Sequence, residues 1–139
     1  MRKIVFRAKT KKDGRWAYGH YVSHAPAITA VSTDHQIHHY ISEVERGCVE
    51  VCEQTLGQYV GIEDNNGIRI FGGDIVHLRR GHFEKNGIVR YSEHNAQWGI
   101  VDGHGCWNFS FFNERFVREY SIVVVGNIHE NPDVLEVMG

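Results

Sequence analysis

The sequence predicts a mainly β protein of the α+β class. Fifteen glycines stand against two prolines, and aromatic residues make up 12% of the 139 residues. Such a composition is typical of short strands joined by tight turns. The length suffices for one domain with a sizeable core. We predict a single domain over residues 1–139, in which residues 1–57 precede a small curved sheet or barrel of about five strands in residues 58–139.

Two segments near the start of the chain predict a hairpin. Residues 4–8, IVFRA, alternate between two faces, and residues 15–22, RWAYGHYV, resume an extended pattern rich in aromatic residues. The KKDG segment between them supplies a turn, because Gly14 adopts a positive φ without strain. We therefore expect an N-terminal β-hairpin.

The segment from Ser23 to Gly47 has a weaker pattern, and two interpretations stay open. As a short helix, residues 33–47 would begin at Thr33 or Asp34 and end at Gly47. The apolar residues at helical spacing would be Ile37, Tyr40, Ile41 and Val44. The alternative is an extended segment over the same residues.

The rest of the chain predicts strands separated by turns. Apolar runs predict strands at CVEVCE, GQYVGIED, IRIF, DIVHLRR, NGIVRYSE, AQWGIVD, CWNFSFF and YSIVVVGNI. DNNG predicts a turn because Asn and Gly tolerate left-handed backbone angles, and we place another turn at Glu84–Gly87. The final NPDVLEVMG predicts a short C-terminal helical stub, with Asn131 as its cap and Pro132 at its first position.

The stretch QYVGIEDNNGIRIFGGDIV, residues 58–76, is either a site or a scaffold. An EF-hand calcium loop aligned on Gly67 would place Ile62 at the first ligand position and Gly73 at the last, and neither residue supplies a ligand. Its glycines suit backbone bends, its apolar residues suit a core, and the carboxylate of Asp74 suits bonds to turn amides. We interpret this stretch as architecture.

Composition argues against two classes of function. A formal charge of −2 and a pI near 6.5 differ from the strongly basic footprint of a general nucleic-acid binder. No window approaches the roughly 20 consecutive apolar residues of a membrane helix, and the basic start has no apolar segment of signal-peptide length. Three cysteines, an odd number, fit free thiols in a reducing compartment. We therefore expect a cytoplasmic protein that makes no membrane contact.

Three segments of the chain resemble a known family. KIVFRAKTKKDGRW, QYVGIEDNNGIRIFGGDIV and VVVGNIHENPDVLE are similar to the motifs of the YopX family, which is found chiefly in bacteriophages and prophages. Val60 stands where the family usually has Thr, and His129 stands where it usually has Tyr. The resemblance implies the family's fold and a phage origin, and hence a bacterial host cytoplasm. It implies no chemistry, because the family has no assigned catalytic residues.

His35, His38 and His39 form a candidate metal site. Their i, i+3, i+4 spacing would place three imidazoles on one face of a helix, which suits zinc or nickel geometrically. No carboxylate stands at the general-base position of an H-E-x-x-H motif, so a solvated polar face is the stronger interpretation. A thiol–imidazole pair at His104 and Cys106 has no supporting local signature. We accordingly predict no cofactor.

The segment LRRGHFEKNGIVRY, residues 78–91, predicts a hairpin with basic and aromatic side chains. Small β proteins bind single strands through such faces. Against this, Glu84 and Glu93 dilute the charge, and basic residues on edge strands also serve to prevent aggregation. The candidate nucleic-acid-binding residues are Arg79, Arg80, His82, Phe83, Lys85, Arg90 and Tyr91.

These observations rank three functions. The favoured hypothesis is a non-enzymatic interaction module that forms a homo-oligomer or binds an unidentified phage or host protein, because every strong motif suits architecture and large aromatic residues are abundant. The alternative is nucleic-acid binding through residues 78–91. The weaker alternative is a metal-dependent enzyme that uses the histidines.

Overall fold

The fold comes from a computed structural model, which describes residues 3–24, 36–105, 107–109 and 113–134. These residues form two antiparallel sheets with little helix, so the mainly β class is confirmed. The chain divides into two compact units, Met1–Gln58 and Tyr59–Gly139. The elements are β1 (Phe6–Lys9), β2 (Trp16–His24), β3 (His38–Glu43), β4 (Gly47–Glu50), a 3-10 turn (Glu53–Thr55), β5 (Gly57–Glu63), β6 (Arg69–Phe71), β7 (Asp74–Arg80), β8 (Phe83–Ser92), β9 (Gln97–Val101), β10 (Trp107–Phe109), α1 (Glu114–Glu119) and β11 (Val123–Asn127).

The predicted N-terminal hairpin is confirmed as β1 and β2. The two strands pair from Phe6–Gly19 to Lys9–Trp16, and Gly14 in the turn has a φ of +72°. In the first unit β2 also pairs with β3, and β3 pairs with β4, so the strand order is β4-β3-β2-β1, with the first residues of β5 beside β1. All these pairings are antiparallel.

The helix predicted over residues 33–47 is wrong where the structure describes this segment. Residues 38–43 form β3 and residues 44–46 form a turn into β4, so the extended interpretation is the confirmed one. Of the apolar residues that suggested a helical stripe, Ile41 is fully buried, whereas Ile37 and Val44 are exposed. Pairing with β2 and β4 decides the conformation, because strand formation depends on cross-strand neighbours more than on local propensity.

The core of the first unit lies on one side of its sheet and is built from Ala8, Ala17, Ile41 and Val51. The sheet curls at the end of β1, where Thr10 and Val51 form a bridge. The Cys52 N–H also donates to the Lys9 carbonyl, at 2.8 Å.

Gly19 permits the close approach of β2 and β3. A Cβ at this position would lie 2.0 Å from the backbone oxygen of Ser42, and the φ of Gly19 is +159°. Contacts this short do not occur between real atoms, so a larger residue would force the two strands apart.

The second unit contains a five-stranded antiparallel sheet in the order β10-β9-β8-β7-β11. This sheet fits the predicted strand number. Within the described ranges its outer strands, β10 and β11, make no pairing with each other, so the barrel alternative is not confirmed. Its core consists of Val60, Ile70, Val76, Leu78, Val89, Ile100, Phe116, Val117 and Ile122.

The hairpin of β7 and β8 is confirmed, but the turn predicted at Glu84–Gly87 is wrong. The strands pair as far as Arg80–Phe83, which leaves Gly81 and His82 as a two-residue loop. Gly81 has a φ of +61°, as such a loop requires. Gly87 lies inside β8 for a packing reason, because a Cβ there would lie 2.3 Å from Cγ2 of Ile100.

A polar network joins this hairpin to the C-terminal segment. His77 Nδ1 lies 2.7 Å from Oδ1 of its cross-strand partner Asn86, and His77 Nε2 lies 3.0 Å from Glu84 Oε1. Asn86 Nδ2 donates to the Val134 carbonyl at 3.2 Å, which orients the amide so that its oxygen faces the imidazole.

Helix α1 was not predicted from the sequence. Asn113 caps it, because its side chain accepts a hydrogen bond from the Phe116 N–H at 2.8 Å. Phe116 and Val117 are buried and pack into the core of the second unit.

Two carboxylates hold the central stretch together. Asp64 Oδ1 accepts from the N–H groups of Asn66 and Ile68, at 2.8 and 2.9 Å, and its Oδ2 accepts from Val124 N–H at 2.9 Å. Asp74 is 1% exposed, and its Oδ2 accepts from Phe71 N–H at 2.8 Å, as the sequence predicted. Both carboxylates therefore bond backbone, which supports the interpretation as architecture.

The segment that follows β11 is a tight polar turn. Asn127 Oδ1 accepts from the N–H groups of His129 and Glu130, each at 3.0 Å. Gly126 has no room for a side chain, because a Cβ would lie 2.9 Å from Cβ of Asn131. Residues 133–134 are helical, whereas Pro132, the predicted first position of the stub, lies in a turn, and residues 135–139 lie outside the described ranges.

Candidate interaction surface

One side of the N-terminal sheet carries a row of rings. Because alternate residues of a strand share a face, the even-numbered residues of β2 and β3 lie opposite the core residues Ala17 and Ile41. Register places Val22 beside Tyr40 and His24 beside His38. We call this side the outer face and define it by Tyr18, His20, Val22, His24, His38 and Tyr40.

The outer face is accessible at its large side chains. Tyr18 and Val22 are each 47% exposed. His20 and His24 are exposed as well, while Tyr40 is half-buried. In the core on the other side of the sheet, Ala17 and Ile41 are completely buried.

Cations of β1 border the outer face. Arg7 is the register partner of Tyr18, and Lys9 is the register partner of Trp16. The guanidinium carbon of Arg7 lies 4.6 Å from the centroid of the Trp16 ring, and Lys9 Nζ lies 5.5 Å from it. These are cation–π distances, so both cations are held against this ring.

The turn between β1 and β2 adds further positive charge. Lys11 and Lys12 are exposed in this turn. The Thr10 hydroxyl donates to the Asp13 carboxylate, and this bond lowers the pKa of Asp13. The turn borders an open cavity of about 470 Å³, lined by Thr10, Lys11, Lys12, Asp13, Arg15, Val49 and Glu50.

Glu50 on β4 supplies negative charge beside the outer face. Its Oε2 lies 2.9 Å from His38 Nδ1 and 3.2 Å from Lys11 Nζ. The hydrogen bond with His38 and then the one with Lys11 hold the pKa of Glu50 below its ordinary value of 4.5. The carboxylate is therefore charged at neutral pH and already faces two basic groups.

The three histidines of the candidate metal site are not arranged as on a helix. His38 and His39 are neighbours on β3 and point to opposite faces, and His35 lies outside the described residues. His39 Nδ1 lies 2.6 Å from the Tyr21 hydroxyl, and its Nε2 lies 3.3 Å from Glu53. Among the residues that the structure describes, no group of three or more His, Cys, Asp or Glu side chains is placed to hold a metal ion.

The residues proposed for nucleic-acid binding on the β7–β8 hairpin are divided between two faces. Arg79 and Arg90 lie on the face that carries His77, and His82 lies in the loop. The opposite face, which Val76 and Leu78 share, carries Arg80, Phe83, Lys85 and Tyr91. The hairpin therefore does not bring the seven residues together in one patch.

Several of these hairpin side chains already contact neighbours. The Phe83 ring centroid lies 5.9 Å from that of Tyr120, and the Tyr91 centroid lies 5.3 Å from that of Trp98. Lys85 Nζ lies 3.7 Å from Asp102 Oδ2.

Sequence reasoning missed the outer face, although a signal was present. In β2 the residues at positions 16, 18, 20, 22 and 24 are Trp, Tyr, His, Val and His. This is a period-two row of large side chains on the strand face that does not reach the core. Such alternation identifies a strand but does not tell which of its two faces is exposed.

A known protein family covers nearly the whole chain. The model of the YopX protein family matches residues 5–136. The chain belongs to the YopX family. This match confirms the resemblance seen in the three sequence motifs and extends it over nearly the whole chain.

A solved structure shares the fold. The crystal structure of protein EF1440 from Enterococcus faecalis is similar to this chain with a TM-score of 0.53 and 18% sequence identity, over 97% of this chain and 99% of the other. At this identity the likeness concerns the fold alone. No curated protein matches the chain. Within its described residues the chain has no helix that is long and apolar enough to cross a membrane.

The YopX motifs and the outer face occupy different parts of the chain. Asp64, Asp74 and Asn127 in the second and third motifs bond backbone N–H groups of turns and strands. The outer face lies on residues 18–24 and 38–40, between the first motif and the second. The motifs therefore account for the fold, and the outer face is the surface that they leave unexplained.

Proposed function

We propose that this YopX-family protein is a non-enzymatic interaction module that binds its partner through the outer face. One observation carries this proposal. Tyr18 and Val22, each 47% exposed, lie on one face of the sheet together with the rings of His20, His24, His38 and Tyr40. Exposed large side chains grouped on one face mark interaction sites, because their burial by a partner is favourable.

The polar residues of the motifs support a module without catalysis. Asp64 and Asp74 are buried and direct their carboxylates to backbone N–H groups of the fold itself. Such carboxylates stabilise turns, and a role as general acid or base would require them to reach a substrate. Phage or prophage origin and a site of action in the host cytoplasm are also part of the proposal, and the resemblance to YopX-family proteins of phages supports them.

A capture experiment from phage-induced bacterial cells tests the proposal. We expect the wild-type protein to retain a partner that the Tyr18→Ala, Val22→Ser double variant loses. The matched control is Tyr91→Ala, because Tyr91 is 48% exposed but lies in the second unit. Equal capture by the wild-type protein and the double variant would contradict the proposal.

A separate measurement tests whether the partner is a second copy of the same chain. Sedimentation velocity at micromolar concentration should show a species larger than the monomer, and the Tyr18→Ala, Val22→Ser variant should shift it to the monomer. A monodisperse wild-type monomer would remove self-assembly and leave a different partner on the outer face.

A further inference from the structure

We propose that the partner of the outer face is a single-stranded nucleic acid. This inference rests on the proposed function and names the ligand of the same surface. It follows from a juxtaposition in the first unit: the row of rings on β2 and β3 lies beside the most basic segment of the chain.

The rings have the chemistry that unpaired bases recognise. Tyr and His side chains are among those on which splayed bases stack, and stacking is tolerant of sequence because every base has a π face. Tyr18, His20 and His24 lie at even positions of β2, with Val22 between the two histidines. Tyr18 and His20 are therefore about 6.6 Å apart along the strand, and His20 and His24 are about 13 Å apart. Tyr40 and His38 form a second row on β3, in register with Val22 and His24.

The positive charge needed to bind a phosphate backbone is concentrated near the N-terminus of the sequence. Seven of the first 15 residues are Lys or Arg, and one is acidic. The first 58 residues carry eight Lys and Arg against six Asp and Glu, a formal charge of +2, whereas residues 59–139 carry seven against eleven, a charge of −4. The net charge of the whole chain therefore hides a local basic region.

The geometry places these cations where a bound strand would need them. Lys9 lies on β1 against the Trp16 ring, and Lys11 and Lys12 follow in the turn at the same end of β2. Glu50 on this face bonds His38 and Lys11, so a phosphate that binds Lys11 would replace this carboxylate. Phosphates beside the turn and bases on the β2 rings are the arrangement that single-strand binders use.

Single strands are favoured over duplexes because the rings must meet the faces of bases. In a duplex those faces are stacked on one another and are not accessible to the rings of the outer face. Binding should weaken as salt rises, because the phosphate contacts release counterions.

Fluorescence anisotropy with labelled oligonucleotides tests this inference on the full-length protein. The ligands are a single-stranded oligothymidylate of about 12 nucleotides and a duplex of the same length, in low salt. We expect the single strand to bind more tightly than the duplex. Tyr18→Ala should weaken single-strand binding about tenfold, the loss expected for one stacking ring.

Matched variants separate the outer face from the β7–β8 hairpin. Tyr91→Ala removes an equally exposed tyrosine from the hairpin, and we expect no change in affinity. Lys12→Glu should weaken binding and reduce its salt dependence, whereas Arg79→Glu, a charge reversal at an exposed hairpin position, should change neither. Circular dichroism of each variant checks that it is folded.

Three results would overturn the inference: no binding of the single strand in low salt, equal affinity for the duplex, or a loss caused by Tyr91→Ala and not by Tyr18→Ala. The proposed interaction surface can be tested separately from its nucleic-acid ligand. If oligonucleotides fail to bind but a nuclease-treated lysate still yields a partner that depends on Tyr18, the outer face is an interaction surface and the nucleic-acid ligand is wrong.

Discussion

At the scale of single residues, one carboxylate connects distant parts of the second unit. Asp64 holds the turn that follows β5 through its Oδ1 and bonds β11, 60 residues later in the chain, through its Oδ2. The Asn65 N–H adds a bond to the Ile122 carbonyl at 2.8 Å. Asp64 is 6% exposed, and its carboxylate is therefore a buried acceptor that joins this turn to β11.

We expect Asp64→Ala to lower the free energy of unfolding by about 3 kcal/mol, because three backbone N–H groups lose a charged acceptor. Urea unfolding measures the change. Asn65→Ala is the control, since its exposed side chain can be removed while its backbone bond stays. A loss for Asp64→Ala no larger than that of the control would contradict the role assigned to the carboxylate.

Gly19 is required at its position because a larger side chain does not fit there. We expect Gly19→Ala to destabilise the protein by at least about 2 kcal/mol, because the new Cβ would overlap the backbone oxygen of Ser42. Gly103→Ala is the matched control, since a Cβ there would meet nothing within 4 Å. Thermal unfolding of the two variants should show a clear drop for the first and a small change for the second.

At the scale of elements, the sequence predicted strands best where both partners were close in the chain. The β1–β2 and β7–β8 hairpins were predicted because each pairs residues across a short turn. β3 was ambiguous because Ile41 is the one fully buried residue in this strand, so a single apolar position marked its core face. A pattern with one core position cannot distinguish a period of 2 from a period of 3.6.

Two further differences between the predicted and the observed elements also have physical causes. The Asn86–Gly87 pair has the composition of a turn, but its glycine lies in β8 because Ile100 leaves no room for a Cβ. Helix α1 has a cap at Asn113 and an acidic residue at Glu114, which are helix start signals, but it is only six residues long and its apolar face is short. The outer face was not predicted because an alternating pattern identifies a strand but not which of its two faces the core covers.

The contact between the β7–β8 hairpin and the C-terminal segment depends on Asn86. We expect Asn86→Ala to lower the free energy of unfolding by about 1–2 kcal/mol, because the amide loses bonds to His77 and to the Val134 carbonyl. Hydrogen exchange of the segment after Asn131 should become faster. Arg79→Ala, on the same hairpin face, should leave this exchange unchanged.

At the scale of the whole molecule, hydrogen bonds to carboxylates should make the stability of the first unit sensitive to acid. Arg15 bonds Glu43 through both Nη atoms, at 3.0 and 2.8 Å, and this hydrogen bonding lowers the pKa of Glu43 from 4.5. The pKa values of Asp13 and Glu50 are lowered as well, by Thr10 and His38 respectively. Three carboxylates of one unit thus stabilise the fold only while they are charged.

We expect the first unit to lose stability as the pH falls below about 4.5. A folded-state pKa below the unfolded value means that the contribution is present above the unfolded value and is lost as the pH falls through the folded one. Hydrogen exchange of residues 3–24 and 36–58, compared at neutral pH and near pH 4, measures the loss. Glu43→Gln should be less stable at neutral pH and less sensitive to acid, and an unchanged acid response would contradict the role of the Arg15 pair.

The bonds of Asp64 also affect the rate at which the neighbouring Asn66 should deamidate. Asn66 precedes Gly67, a pair whose side-chain amide is prone to deamidation when the glycine nitrogen is free to attack it. Here the Gly67 N–H donates to the Asp64 backbone oxygen at 3.1 Å, and the Asp64 carboxylate holds the N–H of Asn66. Because the Gly67 nitrogen that would attack the amide is engaged in a hydrogen bond, we expect the native protein to accumulate isoaspartate at Asn66 more slowly than the unfolded chain does.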